Sequence, residues 1–276
     1  MVRIRLCCII LALVAPSFVL GSSKVAKQKA VKGSLYGLVL ILDPGHGGQD
    51  PGSHGSFRSS YIVENEYVYD VAKRVERLAR EQGAIVFKTI RDEKFDYYRD
   101  WPAQQVLLDN REEVFSFDGS RVEAGSRGLG KRIAYANNIL KRYPRHRVVF
   151  LSVHFDVAEE SKDGTYLIIG GGRRPRIASL LIDSFHELAA DVSVKVAGQG
   201  VKHIYVLGKR NAVLEKVLLE LGNFNSENDN WEIRNYQTRT RYALRIVKAL
   251  EYFMDQNKPQ SKNNVQDREV TNGSSR

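Results

Sequence analysis

Cysteine is nearly absent from this chain: Cys7 and Cys8 are the only two, and both stand in an apolar run near the start. Past that run there is no thiol for a disulfide or a thiolate metal site, so a metal would have to be bound through His, Asp or Glu. A membrane-length hydrophobic run is also lacking. Leu6 to Leu20 covers about 15 residues where a crossing needs roughly 20, and no later stretch is apolar enough to span. Acid is in the minority, with 42 Lys+Arg against 32 Asp+Glu and a net charge of +10. A basic surface is drawn to anionic polymers such as cell-wall material or a membrane face. Nucleic acid is excluded because the positive charges are scattered rather than interleaved with aromatics along one face.

What is present first is a leader. Arg3 and Arg5 precede the apolar run, and Gly21, Ser22 and Ser23 follow it. That layout predicts a signal peptide over 1–22, hence export to a periplasm or the extracellular space and no stable membrane insertion after cleavage. Removing a leader with two arginines and no acid lowers the charge from +10 to +8. A lipoprotein cysteine would follow the apolar run, whereas Cys7 and Cys8 lie inside it. Residues 23–35 read as a basic linker and 256–276 as a polar disordered tail.

Between them, residues 36–255 are expected to form one domain; at 43% hydrophobic composition the chain can fill a core. Leu38–Leu42, Ala84–Ile90, Val148–Val153, Thr165–Ile169, His203–Leu207 and Val217–Leu221 read as buried strands. Glu64–Arg80 has apolar residues at Val68, Val71, Val75 and Leu78, a helical period, and Ile177, Leu181, Ser184, Phe185 and Leu188 repeat it. Tyr242, Ile246, Leu250 and Phe253 mark a final amphipathic helix. The alternation predicts an α/β domain with a twisted, mostly parallel sheet of about six strands and helices on both faces. Lys94–Leu129 lacks a sustained period and reads as an inserted excursion whose aromatic residues either line a substrate groove or elaborate the surface.

Four local patterns carry chemistry. Asp43-Pro44-Gly45-His46-Gly47-Gly48 follows the first strand, a histidine in a turn whose glycines permit conformations other residues resist. Asp43 is placed to accept a proton from the second nitrogen of His46; an ordinary turn with an incidental histidine is the alternative. Ser152-Val153-His154-Phe155-Asp156 offers a second histidine where a strand runs out, either a ligand or a core histidine bonded to backbone. Glu64 opens the first helix and either completes a two-histidine, one-carboxylate set or complements the helix dipole. Glu220 ends an apolar strand, where a carboxylate is costly to bury without a partner or a task; pairing with an arginine is the other option. His54, His146, His186 and His203 are assigned no ligand role.

In this order the four patterns resemble the zinc-dependent N-acetylmuramoyl-L-alanine amidases of bacterial cell-wall hydrolases and phage lysins, the type 3 amidases. The resemblance runs from about Leu38 to Met254 and includes Thr89-Ile90-Arg91-Asp92, similar to that family's second strand end. It implies a phosphorylase/hydrolase-like fold, zinc as cofactor with His46, Glu64 and His154 as ligands, Glu220 as catalytic acid/base, and peptidoglycan as substrate. Asp156 stands where asparagine is more usual, and both the His46-to-Glu64 stretch and the Lys94–Leu129 excursion are longer than is common. Glu66 is a lesser candidate ligand. Some relatives carry a self-inhibitory helix after the second histidine; Val157 to Gly164 leaves no room for one. Residue patterns do not identify a protein activator. A stem-peptide peptidase, a deacetylase or a non-catalytic wall-binding relative would use the same residues.

Overall fold

The computed structural model describes residues 33–94, 98–157, 163–170, 174–189 and 196–255. The leader, most of the linker, the polar tail and the middle of Val157–Gly164 lie outside the described residues. The elements run β1 (Leu38–Pro44), β2 (His54–Phe57), β3 (Ser60–Val63), α1 (Glu64–Glu81), β4 (Ile85–Lys88), β5 (Ile90–Asp92), β6 (Glu113–Phe115), α2 (Gly125–Arg142), β7 (Arg147–Asp156), β8 (Thr165–Ile169), α3 (Arg176–Ala189), β9 (Val196–Val201), β10 (Glu215–Asn223), α4 (Glu227–Arg234) and α5 (Tyr236–Met254). Six strands form the main sheet in the order β4-β1-β7-β10-β8-β9. The first four run parallel; β8 is antiparallel to β10, and β9 runs parallel to β8.

Strand alternation divides the core in two. Leu38, Leu40 and Leu42 face Val68, Val71 and Val75 of α1, Ile177 and Leu181 of α3, and Ile246 and Leu250 of α5. Val39 and Ile41 face the other way, with Phe150, Ile168 and Leu218, onto Ala136 and Ile139 of α2. The mostly parallel sheet and the helices on both faces are as the pattern predicts, and three helical periods fall on α1, α3 and α5.

Three expectations need correction. His203–Leu207 is not a strand: Tyr205–Leu207 forms a short 3-10 turn, with Val206 and Leu207 buried in the second core. The sixth strand is β9, Val-Ala-Gly-Gln-Gly-Val, which carries no alternation to read. Ala84–Ile90 breaks at Thr89, after which β5 leaves the main sheet to pair with β6. The excursion's end, Gly125–Leu129, is the first turn of α2, whose Gly125, Gly128 and Gly130 obscure its helical period. Of the excursion's aromatics, Trp101 packs on the core, and the Tyr98 ring lies beside the Arg74 and Arg77 guanidiniums at 5.0 and 5.3 Å, so these two brace the fold. Tyr97 lies outside the described residues.

A buried ion network ties α1 to α5. Asp70 accepts from Arg74 Nε at 2.9 Å, Arg239 Nε at 2.6 Å and the Arg99 amide at 2.5 Å. Arg239 also donates to the carbonyls of Ile233, Arg234 and Arg99. Removing one member of such a network leaves a buried charge without compensation, which costs far more than breaking an exposed pair. Asp70→Asn should therefore lose about 3–5 kcal/mol in urea unfolding, against under about 1 kcal/mol for Glu81→Ala at the exposed Arg77–Glu81 pair; equal losses would contradict the role given to the network.

Candidate metal centre and catalytic carboxylate

The main sheet's parallel strands β1, β7 and β10 end together, and the site is built there. Past β1 the Gly45 amide donates to the Val153 carbonyl at 2.8 Å, keeping the chain beside β7. A Cβ on Gly45 would stand 2.4 Å from the His154 ring, so only glycine fits. His46 has φ +61°, a left-handed conformation uncommon for a side-chain-bearing residue, and Gly47 and Gly48 follow at +112° and +63°. Gly52, at φ +74°, is also confined: a Cβ there would stand 2.6 Å from both Glu64 Oε2 and His46 Cδ2. The residues between His46 and Glu64 hold the β2–β3 hairpin, which accounts for the length of that stretch.

Glu64 is the first residue of α1. That helix has no side-chain N-cap; instead the Glu64 and Asn65 amides donate to the carbonyls of Ser53 and Pro51, which satisfies amides a helix start leaves open. The carboxylate is buried. Its Oε1 accepts from the Phe155 amide at 3.0 Å and lies 2.8 Å from His154 Nδ1. Oε2 accepts from the Ser53 amide at 2.8 Å and lies 3.2 Å from His46 Nε2. The two imidazoles meet edge to face with ring centroids 5.1 Å apart, and the donor atoms of His46, Glu64 and His154 all lie within 4.8 Å of one another.

Two imidazoles and one carboxylate suit a hydrolytic zinc centre that keeps a fourth position open. The electrostatics agree. Burial alone would lower the His46 pKa, yet Asp50 and Glu64 outweigh it and raise it to about 10. His154 is likewise raised by Glu64 against its burial. Burial pushes Glu64 up, but the two histidines hold it well below the usual carboxylate range. The site is thus built to favour positive charge between its donors.

Asp43 does not touch His46, contrary to the sequence reading. It accepts from Thr89 Oγ1 at 2.6 Å, Arg132 Nη1 at 2.6 Å and Ser152 Oγ at 2.7 Å. Burial raises its pKa, but Arg132 and these hydrogen bonds outweigh that and keep it ionised. Arg132 in turn donates to the carbonyls of Pro44 and His46, pinning the turn from behind, and Ser152 Oγ lies 3.2 Å from His154 Nε2. The carboxylate facing the second nitrogen of His46 is Asp50, 3.1 Å from Nδ1. A helical period hidden by glycine concealed Arg132; Asp50 stood four residues past His46, in plain view.

Glu220 of β10 pairs in register with His154 of β7, so both side chains rise from the same face of the sheet. Its Oε2 is buried with no hydrogen-bond partner. Burial, assisted by Glu64 and Asp156 and opposed by His154, raises its pKa to about 8. The arginine partner considered from sequence is not there: no salt bridge involves this carboxylate among the described residues.

Glu66 is turned away from the ligand trio. It accepts from Arg99 Nη2 at 2.7 Å and the Asn110 amide at 3.0 Å, and it forms a separate buried acidic group with Asp92 and Glu113. Glu113 accepts from the Gly48 amide and from Asn65 Nδ2, both at 2.9 Å, so the excursion braces the His46 turn. His54, His186 and His203 are exposed and His146 lies in a turn; none joins the trio.

Fold and site together define an α/β domain with a candidate divalent-metal centre. The N-acetylmuramoyl-L-alanine amidase family profile matches residues 40–252, and the chain belongs to that family. A probable cell wall amidase, LytH of Staphylococcus aureus, is 34% identical over 88 residues, or 32% of this chain and 26% of that protein. The match therefore spans about a quarter of that curated relative's length. Among solved structures, the amidase AmiC2 of Nostoc punctiforme is similar with TM-score 0.57 at 18% identity, covering 81% of this chain and 99% of that one. The CwlD amidase of Clostridioides difficile, solved with the GerS lipoprotein, gives 0.56 at 16% identity, covering 78% and 98%. These two likenesses speak for the fold. No helix among the described residues is long and apolar enough to cross a membrane.

The raised Glu220 pKa fixes the sign of a stability effect. Between the ordinary carboxylate range and pH about 8 the folded state keeps a proton that the unfolded state loses, so this group's contribution worsens as pH rises and levels off above about 8. Metal-free Glu220→Gln should therefore gain stability over the parent protein through that window, by at most about 1.4 kcal/mol per pH unit. Urea unfolding at a series of pH values measures it, and a gain that shrinks with rising pH would contradict the environment described.

Proposed function

We propose that the protein is an exported N-acetylmuramoyl-L-alanine amidase of the cell envelope, holding zinc through His46, Glu64 and His154 and using Glu220 as its acid/base. The observation that carries this reading is the convergence of three donors within 4.8 Å, with a buried carboxylate in register beside one of them whose Oε2 has no hydrogen-bond partner. The leader over 1–22, the basic linker to residue 35, a catalytic domain over 36–255 and the tail over 256–276 belong to the same proposal, as does the basic charge that suits an anionic wall. One fold relative, CwlD, is seen with a lipoprotein; a protein activator of this chain would be a further partner beside peptidoglycan.

The bond broken is the amide between the lactyl group of N-acetylmuramic acid and L-alanine. Zinc, when bound, supplies Lewis acidity that lowers the pKa of water towards about 7 and polarises a carbonyl. Glu220 does the proton work. Its carboxylate accepts the proton of the attacking water and, as the C–N bond breaks, returns it to the departing nitrogen, leaving a lactyl carboxylate and a free amine. An affinity near pH 8 suits both halves of that exchange. Asp50, beside His46, and the Asp43–Arg132 pair behind the turn hold the first histidine in place.

Digestion of purified peptidoglycan, read by mass, tests the assignment. The zinc-loaded protein should release stem peptides with free N-terminal alanine and leave free lactyl carboxyls; chelation should stop it and zinc restore it. Cuts within the stem, or free amines on the sugars, would instead make it a peptidase or a deacetylase. Glu220→Gln should lose about 10²- to 10⁴-fold in rate while binding one zinc; a variant that cleaves at full rate would overturn the role of Glu220.

A further inference from the structure

The row of site residues does not stop at Glu220. On its other side Glu220 pairs in register with Tyr166 of β8, so His154, Glu220 and Tyr166 rise from one face at successive strand spacings of about 4.8 Å. Beyond Tyr166 the sheet ends in β9, and there the backbone makes room: a Cβ on Gly200 would stand 2.0 Å from the Tyr166 hydroxyl oxygen. The phenol therefore lies across β9. Lys202, just past β9, places its ammonium 5.9 Å from the centre of that ring. Its backbone is pinned, the amide donating to the Ile169 carbonyl at 3.2 Å and the carbonyl accepting from the Ile204 amide at 3.0 Å, while the residue is exposed. Among the described residues no carboxylate stands within ion-pair distance of its ammonium.

We propose that Lys202, with the Tyr166 ring beside it, forms a subsite for a carboxylate on the peptide side of the substrate. The inference rests on the amidase reading. If Glu220 returns a proton to the departing nitrogen, the peptide leaves on Glu220's side of His154, along the row towards Tyr166. An extended peptide advances at most about 3.6 Å per residue, so the second residue, counting the one that bears the scissile nitrogen as the first, spans about 3.6–7 Å along, over Tyr166. In a stem peptide with an unamidated acidic second residue, the first free carboxylate falls there. Asp156, at the end of β7, offers such a carboxylate no partner. Lys202 is the cation beside the Tyr166 ring, and a charge-assisted bond to an exposed ammonium is the means of accepting such a peptide.

Two muropeptides that differ only in whether the second-residue carboxyl is free or amidated test this. Both are hydrolysed by the zinc-loaded parent protein, Lys202→Gln, Lys202→Glu and Lys202→Arg, and the corresponding free stem peptides are titrated by calorimetry. The preference of the parent protein for the free acid, as a ratio of kcat/KM values, should fall about tenfold in Lys202→Gln and further in Lys202→Glu. The loss should be carried in KM and matched in Kd, and Lys202→Arg should restore most of it. A ratio that stays constant across the variants overturns the subsite. If the parent binds the acidic peptide in a Lys202-dependent way but hydrolyses neither muropeptide, the amidase reading fails and the subsite stands; hydrolysis with no Lys202 dependence does the reverse.

Discussion

The carboxylate of Glu64 is the point on which the site is assembled. Each of its two oxygens accepts one backbone amide and faces one imidazole, so a single buried group joins the β1 turn, the root of the β2–β3 hairpin, the start of α1 and the end of β7. Taking a carboxylate out of water costs several kcal/mol unless fixed partners replace the solvent. Here the amides of Ser53 and Phe155 do so, and because one lies in the loop before β2 and the other at the end of β7, the carboxylate sets the distance between that loop and that strand. The positions of His46 and His154 follow from that.

Around this centre the scaffold leaves little freedom. Asp43, Arg132, Thr89 and Ser152 form a buried polar set behind the His46 turn, reaching one histidine through its carbonyl and the other through the Ser152 hydroxyl. The excursion contributes from the opposite side through Glu113 and the Gly48 amide. Sheet register supplies the remaining constraint. Because side chains alternate, a one-residue slip of β10 would carry Glu220 to the opposite face and away from His154; the antiparallel pairing with β8 and the parallel pairing with β7 hold the register from both sides.

Much of this was legible in the residues, for physical reasons that also explain the gaps. Long strands buried on both faces, such as Val148–Val153, declare themselves as near-continuous apolar runs, and helices with clean stripes, such as α1, do so because burial of one face dictates residue type. Asp43-Pro44-Gly45-His46-Gly47-Gly48 was legible because its glycines answer to a tight contact at Gly45 and a left-handed turn at Gly47 and Gly48. What escaped was set by tertiary context: β9 is recruited by its neighbour rather than by its own pattern, and α2 begins in glycines that hide its period. Val206 and Leu207 are apolar because they pack beneath α2, and that burial imitates a strand. The partner of Asp43 was misread because Arg132, distant in sequence, competes for it more strongly than an adjacent imidazole.

The central claim is that His46, Glu64 and His154 together hold one divalent ion. X-ray absorption at the zinc edge tests it directly in the zinc-loaded protein and in His154→Ala. The parent protein should bind one zinc with two imidazole nitrogens at about 2.0–2.1 Å and oxygen donors at about 2.0–2.2 Å, and His154→Ala should lose one imidazole and bind more weakly. A shell of oxygens alone, or zinc uptake indifferent to the loss of His154, would contradict it.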